Sequence, residues 1–189
     1  MRIVRYAVLV LLFACFVLPA GTAHAQYFGR NKVQYDKFEF KTFETEHFEI
    51  YFYDETEEAI RDVAAMAERW YQRHSRTFLR EFHEKKPLIF YANDADFHQT
   101  NAISGSLGEG TGGVTESLKE RVVMPLTGIY EETDHVLGHE LVHSFQYDIG
   151  LSSTDSTRFA LGLFPLWVIE GTAEYLSVGR EDFELMMVD

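Results

Sequence analysis

Two histidines four residues apart, with a glutamate directly after the first, constrain this chain more than any other feature: His139-Glu140-Leu141-Val142-His143. On a helix, positions four apart share one face, about 6 Å apart along the axis and about 40° around it. Two imidazoles so placed can bind one Zn²⁺ at roughly 2.0–2.1 Å each. Glu140 lies about 100° around from His139, so it borders that face without reaching the metal. It can instead meet a water on the metal, whose pKa zinc lowers to about 7. Composition alone would produce the pattern in roughly 3% of shuffled chains, so the match needs support from its setting. Leu137, Leu141, Val142 and Phe145 supply it by making the segment an amphipathic helix with a buried side.

A catalytic zinc site needs a third protein ligand and an open position. The source is the stretch Pro165-Leu166-Trp167-Val168-Ile169-Glu170-Gly171-Thr172-Ala173-Glu174-Tyr175. Glu170 and Glu174 are again one turn apart, on a helix that a hairpin connection would lay beside the first. Taken singly, each is an ordinary solvated glutamate. Beside Trp167, Val168 and Ile169, and downstream of the histidine pair, they read as ligand candidates, and spacing leaves either one open for the metal. Gly171 inside a helix suggests close packing there. His135, one turn before His139, lines the same groove or sits on the surface. As a fourth ligand it would close the open position. His47, His74, His83 and His98 carry no spacing signal and read as structural or surface residues.

The 189 residues hold a single cysteine, so neither a disulfide framework nor a Cys-based zinc site is available. That cysteine also lies in a segment expected to be removed. Arg2 and Arg5 precede an apolar run from Tyr6 to Leu18, followed by Pro19-Ala20-Gly21-Thr22-Ala23-His24-Ala25. This is the pattern of a secretory signal peptide at 1–25, cleaved after Ala25 to begin the mature chain at Gln26. The run is too short for a membrane span. A lipoprotein reading around Cys15 is weaker, because the apolar run continues past it. Removal takes Arg2 and Arg5, so the basic total falls from 17 to 15 against 30 acidic residues, and the net charge moves from −13 to −15. An exported, acidic, thiol-free domain at 26–189 follows. That balance excludes a nucleic-acid binder, which needs a concentrated basic face.

No repeat or linker divides the mature chain. Phe38, Phe40, Phe48, Ile50 and Phe52 alternate with polar residues, the period of half-buried strands. Asp54 and Glu57 read as a capping box opening a helix that runs to about Phe78. Pro87–Tyr91 reads as a buried strand and 104–113 as a Gly/Ser loop. Val114-Thr115 and Arg121–Met124 read as short strands, with Pro125 placed at a strand end, an edge or a bulge. One helix is predicted from Thr133 or Asp134 to about Tyr147. Another runs from near Pro165 to Gly179, with a polar loop at 151–157 between them. Strands first and helices later give an α+β order.

His-Glu-x-x-His followed by Trp-x-x-Glu-Gly-x-Ala-Glu-Tyr resembles the gluzincin metallopeptidases. It is most similar to the bacterial exported peptidase-MA-like domains that often precede a TolB-type β-propeller, over roughly His47 to Val178. The resemblance implies a zincin-like α+β domain, with a small mixed sheet, an active-site helix and a following ligand helix. It implies Zn²⁺ on His139, His143 and Glu170, and Glu140 as the general base of peptide-bond hydrolysis. Glu174 would accept the outer N–H of a ligand histidine, although spacing alone leaves a swap with Glu170 open. The 26 residues between His143 and Glu170 exceed the spacers of the best-known members, and the excess falls in the polar loop. The family fold also implies an edge strand that pairs with substrate backbone, for which Gly113, Val114, Thr115 and Glu116, preceded by Gly112, are the candidates. A plain hairpin strand is the other reading of that segment. Relatives use a Tyr or His to stabilise the oxyanion; Tyr130, Tyr147 and Tyr175 are available, none in a diagnostic motif. Relatives also continue past the equivalent of Asp189, which implies a truncated C-terminus and a β-propeller in a longer form.

The expected function is therefore zinc-dependent peptide hydrolysis outside the cytoplasm, acting on a peptide or protein. The alternative is a non-catalytic, zinc-stabilised interaction domain attached to a β-propeller, which would keep the ligands without needing Glu140. A globular binding domain with accidental motifs would bind no metal.

Overall fold

Strands β2 (Phe48–Phe52) and β3 (Lys86–Tyr91) bury alternate residues completely and their neighbours partly. That is the trace of a sheet covered unequally on its two faces. A computed structural model describes residues 32–103, 107–108, 110–117, 119–152 and 164–178. The expected signal peptide with Cys15, the loop positions 153–157, the helix stop at Gly179 and the C-terminal end lie outside the described residues.

Among the described residues five strands form one sheet in the order β1-β2-β3-β5-β4, with β1 at Lys41–Glu44, β4 at Val114–Glu116 and β5 at Arg121–Pro125. β2, β3 and β5 run parallel, whereas β1 and β4 are antiparallel strands at the two edges. Pro125 ends β5 opposite Tyr91, so its missing N–H interrupts no ladder interior. Parallel neighbours require crossovers. Helix α1 (Ile60–Phe78) supplies the first, and the short helix α2 (Asp94–His98) lies in the second. Helices α3 (Tyr130–Ser152) and α4 (Leu166–Val178) follow the sheet. The class is mixed α+β.

Phe48, Ile50, Leu88, Phe90, Val122 and Met124 face the main core, where they meet Val63, Ala67 and Trp70 of α1 and Leu137, Leu141 and Phe145 of α3. The intervening Ile89, Tyr91 and Val123 pack on the other face with Phe97, Tyr53 and Phe38. This explains the uninterrupted apolar run at Leu88–Tyr91. Phe38 and Phe40 precede β1 rather than belonging to it. Their rings lie 4.9 and 5.6 Å from that of Tyr53, extending the second cluster.

Three helix boundaries differ from the sequence reading. α1 begins at Ile60, after a 3₁₀ turn at Asp54–Thr56. Asp54 and Glu57 do not cap it, because both pair with Lys41, at 2.7 and 2.8 Å, while the Thr56 hydroxyl returns to the Tyr53 carbonyl at 2.8 Å. α3 begins at Tyr130 because the turn Thr127–Ile129, closed by the Thr127 hydroxyl, already offers the Ile129 carbonyl to Thr133 N–H at 3.0 Å. Asp134 is drawn away from any cap by Trp70 Nε1 and Arg69, each at 3.0 Å. The far end of α3 continues past Tyr147, where buried Asp148 accepts from Arg80 Nε at 2.5 Å and Lys86 Nζ at 3.2 Å. Lys86, itself buried, also contacts Glu120, so its charge is answered from two elements.

The packing of α1 on α3 is closest at Gly138. A Cβ there would stand 2.6–2.9 Å from the Trp70 ring, which is pinned by its bond to Asp134. His74 on the next turn of α1 donates Nε2–H to the Gly138 carbonyl at 3.0 Å, and its buried Nδ1 has no partner. Burial therefore holds the imidazole neutral, with its pKa lowered to about 4, because a second N–H would be stranded. Gly171 differs from the close-packing expectation, since nothing lies within 4 Å of a Cβ built there.

Substitutions at the two glycines test these contacts. Gly138→Ala should destabilise by about 1–3 kcal/mol through overpacking, beyond the roughly 1 kcal/mol of helix propensity gained. Gly171→Ala should instead stabilise by about 0.5–1 kcal/mol. Urea midpoints check both, and a more stable Gly138→Ala protein would refute the close approach. For His74, the folded pKa lies below the unfolded value, so protons bind the unfolded chain first. The fold should lose about 2 kcal/mol from this group between neutral pH and about pH 5. A His74→Phe variant should lack that part of the pH dependence in parallel urea titrations, and identical slopes would refute it.

Candidate metal centre

Helix α3 turns its apolar side to the sheet and α1, which leaves His135, His139 and His143 in one row facing α4. Their partners on α4 are Glu174 for His135, both glutamates for His139, and Glu170 for His143. Increasing number on one helix meets decreasing number on the other, so the two run antiparallel.

Three ligand atoms converge. His139 Nε2 and His143 Nε2 are 3.2 Å apart, and Glu170 Oε2 lies 3.3 Å from the first and 3.4 Å from the second. Tetrahedral ligands at 2.0–2.1 Å from a shared zinc are separated by about 3.3–3.4 Å, so the spacing fits that ion. Donor chemistry fits equally, with two imidazole nitrogens and one carboxylate oxygen. Glu174 lies outside this group: its Oε2 accepts from His139 Nδ1 at 3.2 Å and is 3.4 Å from His135 Nε2. His143 is nearly buried, whereas half of Glu170 remains exposed, which keeps the site open to one side.

Glu140 is buried beside the histidines and contacts the edge strand. The Thr115 hydroxyl lies 2.6 Å from Glu140 Oε2 and 2.9 Å from the Glu140 carbonyl. A Cβ on Gly113 would come within 2.9 Å of Glu140 Cγ and 3.2 Å of Oε1, so the carboxylate rests directly on the Gly113 backbone. Burial holds the Glu140 carboxyl above the usual carboxylate range, opposed by the Thr115 hydrogen bond and the nearby imidazoles. No family model, curated protein or solved structure matches this chain.

Val114–Glu116 is the edge strand β4, antiparallel to β5, and it carries Thr115 against α3. The sequence alone marks Thr115 only as a strand residue that could pair with substrate backbone. Among the tyrosines, Tyr130 bonds to Arg69 at 3.1 Å. Tyr147 is the one whose hydroxyl pKa is raised by burial and by the charges of Glu140, Glu170 and Glu116. Tyr175 is half exposed on α4. The other described histidines serve the fold: His47 stacks on Tyr71 with centroids 3.6 Å apart and bonds to Glu68, while His74 is buried, His83 meets Arg80 and His98 returns to its own helix. Gln146, one turn after His143, was not singled out from the sequence. Its amide contacts both His143 and the backbone of α4. Its i+3 position on the histidine face was the available signal.

Proposed function

We propose that this chain is an exported, zinc-dependent metallopeptidase of the gluzincin type, with a zincin-like domain at 26–189. The observation that carries the reading is the convergence of three potential ligand atoms, His139 Nε2, His143 Nε2 and Glu170 Oε2, at mutual distances of 3.2–3.4 Å. With the outer nitrogens of both histidines bonded to Glu174 and Gln146, the inner nitrogens and the carboxylate present a ligand set suited to a cation. Zinc bound there would polarise a peptide carbonyl and make a water nucleophilic at neutral pH.

The chain's own residues divide the remaining work. Glu140 takes the attacking water's proton and passes it to the leaving amine. Thr115 and Gly113 hold its carboxylate in place, and β4, last in the sheet order of the described residues, would offer backbone groups to an extended peptide. Glu174 accepts the outer N–H of His139 and so turns its Nε2 lone pair inward. The signal-peptide-like pattern at 1–25 supports action outside the cytoplasm. Among the described residues no helix is long and apolar enough to cross a membrane.

Purified protein should take up one equivalent of zinc and cleave members of a broad peptide library. Glu140→Gln should keep the metal and lose about 10²–10⁴-fold in kcat/KM. Zinc below about a tenth of an equivalent after loading would end the metal reading, and hydrolysis surviving Glu140→Gln would end the general-base assignment. Stoichiometric zinc without cleavage of any peptide would favour the interaction-domain alternative. Glu170→Gln should weaken zinc more than Glu174→Gln, whose cost should be about 10–100-fold in chelator competition. The reverse order would exchange the two roles.

A further inference from the structure

The structure assigns Gln146 as the positioning residue that fixes the tautomer of His143 and ties the two ligand-bearing helices together. The assignment rests on the zinc reading above for its purpose, but its geometry stands apart from any metal. Gln146 is buried, with Oε1 at 2.8 Å from His143 Nδ1 and Nε2 at 3.2 Å from the Ile169 carbonyl.

The amide can sit only one way round. The Ile169 carbonyl accepts and cannot donate, so the Gln146 nitrogen must face it. Gln146 Oε1 then faces His143 Nδ1, which must carry the hydrogen. A neutral imidazole holds one N–H, so His143 Nε2 is left as a lone pair. That nitrogen is the one aimed at His139 Nε2 and Glu170 Oε2. Glu174 orients His139 in the same sense through Nδ1. The two partners differ in kind: a carboxylate raises the basicity of its imidazole more than a neutral amide does.

The other arm of Gln146 has a second consequence. Ile169 directly precedes Glu170, and its carbonyl belongs to the backbone of α4. One side chain on α3 therefore grips a metal-ligand candidate on its own helix and the backbone beside a ligand candidate on the next. A slide of α4 by about 1 Å would break the 3.2 Å bond and spread the three converging atoms together.

Long-range ¹⁵N–¹H correlation of the imidazoles in metal-free protein reads the tautomer directly. Wild type should show His143 protonated on Nδ1. Gln146→Met, similar in length but without hydrogen bonds, should release it to a mixture with Nε2–H and weaken zinc by about 10–100-fold in chelator competition. Gln146→Glu should keep the Nδ1–H form, because a carboxylate still accepts from it, yet should weaken zinc because it cannot donate to Ile169. His143 protonated on Nε2 in wild type would overturn the proposal without any variant. So would a Gln146→Met protein with unchanged tautomer and zinc affinity. Nδ1–H in wild type with no zinc uptake would support the tautomer assignment and refute the metal reading alone.

Discussion

The contact on which the rest depends is the approach of α1 to α3 at Gly138. Without a side chain there, the Trp70 ring lies directly against the α3 backbone, and Asp134 and His74 fasten it on either side. This sets the rotation of α3 about its own axis. Leu137, Leu141 and Phe145 then point into the core, and the row His135, His139 and His143 must point to the opposite helix. A rotation of one residue, about 100°, would carry the histidines away from α4 and Glu140 away from Thr115. The lower end of the same helix is fixed differently, by Asp148 between Arg80 and buried Lys86. Packing at one end and charge at the other hold a helix whose middle carries the chemistry.

Polar groups at the site are arranged with one bias. Outer nitrogens of the two facing histidines meet acceptors, Glu174 and Gln146, so their inner nitrogens and Glu170 crowd together as lone pairs. In a metal-free chain a proton on His139 Nε2, donated to Glu170 or His143, relieves that crowding, so a metal ion there competes with a proton. Glu140 stands apart from that group. Its support comes from the sheet edge through Thr115 and Gly113, so the strand proposed to hold substrate is also the strand that seats the base.

Much of this was legible in the sequence because it is local. Period-two alternation marked β2, a continuous apolar run marked β3, and the apolar stripe around His139 marked α3. Its missing N–H limited Pro125 to a strand end, an edge or a bulge, and it ends β5. What escaped was fixed by partners distant in the chain. Asp54 and Glu57 have the spacing of a cap, yet Lys41 claims both. Asp134 resembles a helix start, but Trp70 and Arg69 hold it inside the second turn. Gly171 looked like a packing glycine and faces open space, whereas Gly138, which drew no notice, is the tight one. The identity of the glutamate facing the Nε2 atoms was beyond spacing as well, because it depends on how far α4 slides along α3. Lys86 opens a strand where a charge suggests a solvent boundary, and only its meeting with Glu120 and Asp148 allows its burial.

Zinc K-edge X-ray absorption of the metal-loaded protein bears most directly on the convergence of His139, His143 and Glu170. A four-coordinate shell of nitrogen and oxygen at about 2.0–2.1 Å, with the multiple-scattering pattern of two imidazoles, is the predicted result. That pattern should fall to one imidazole in His143→Ala. A shell of about six oxygens without imidazole scattering, or a spectrum unaltered in His143→Ala, would contradict the assignment of these residues as the metal centre.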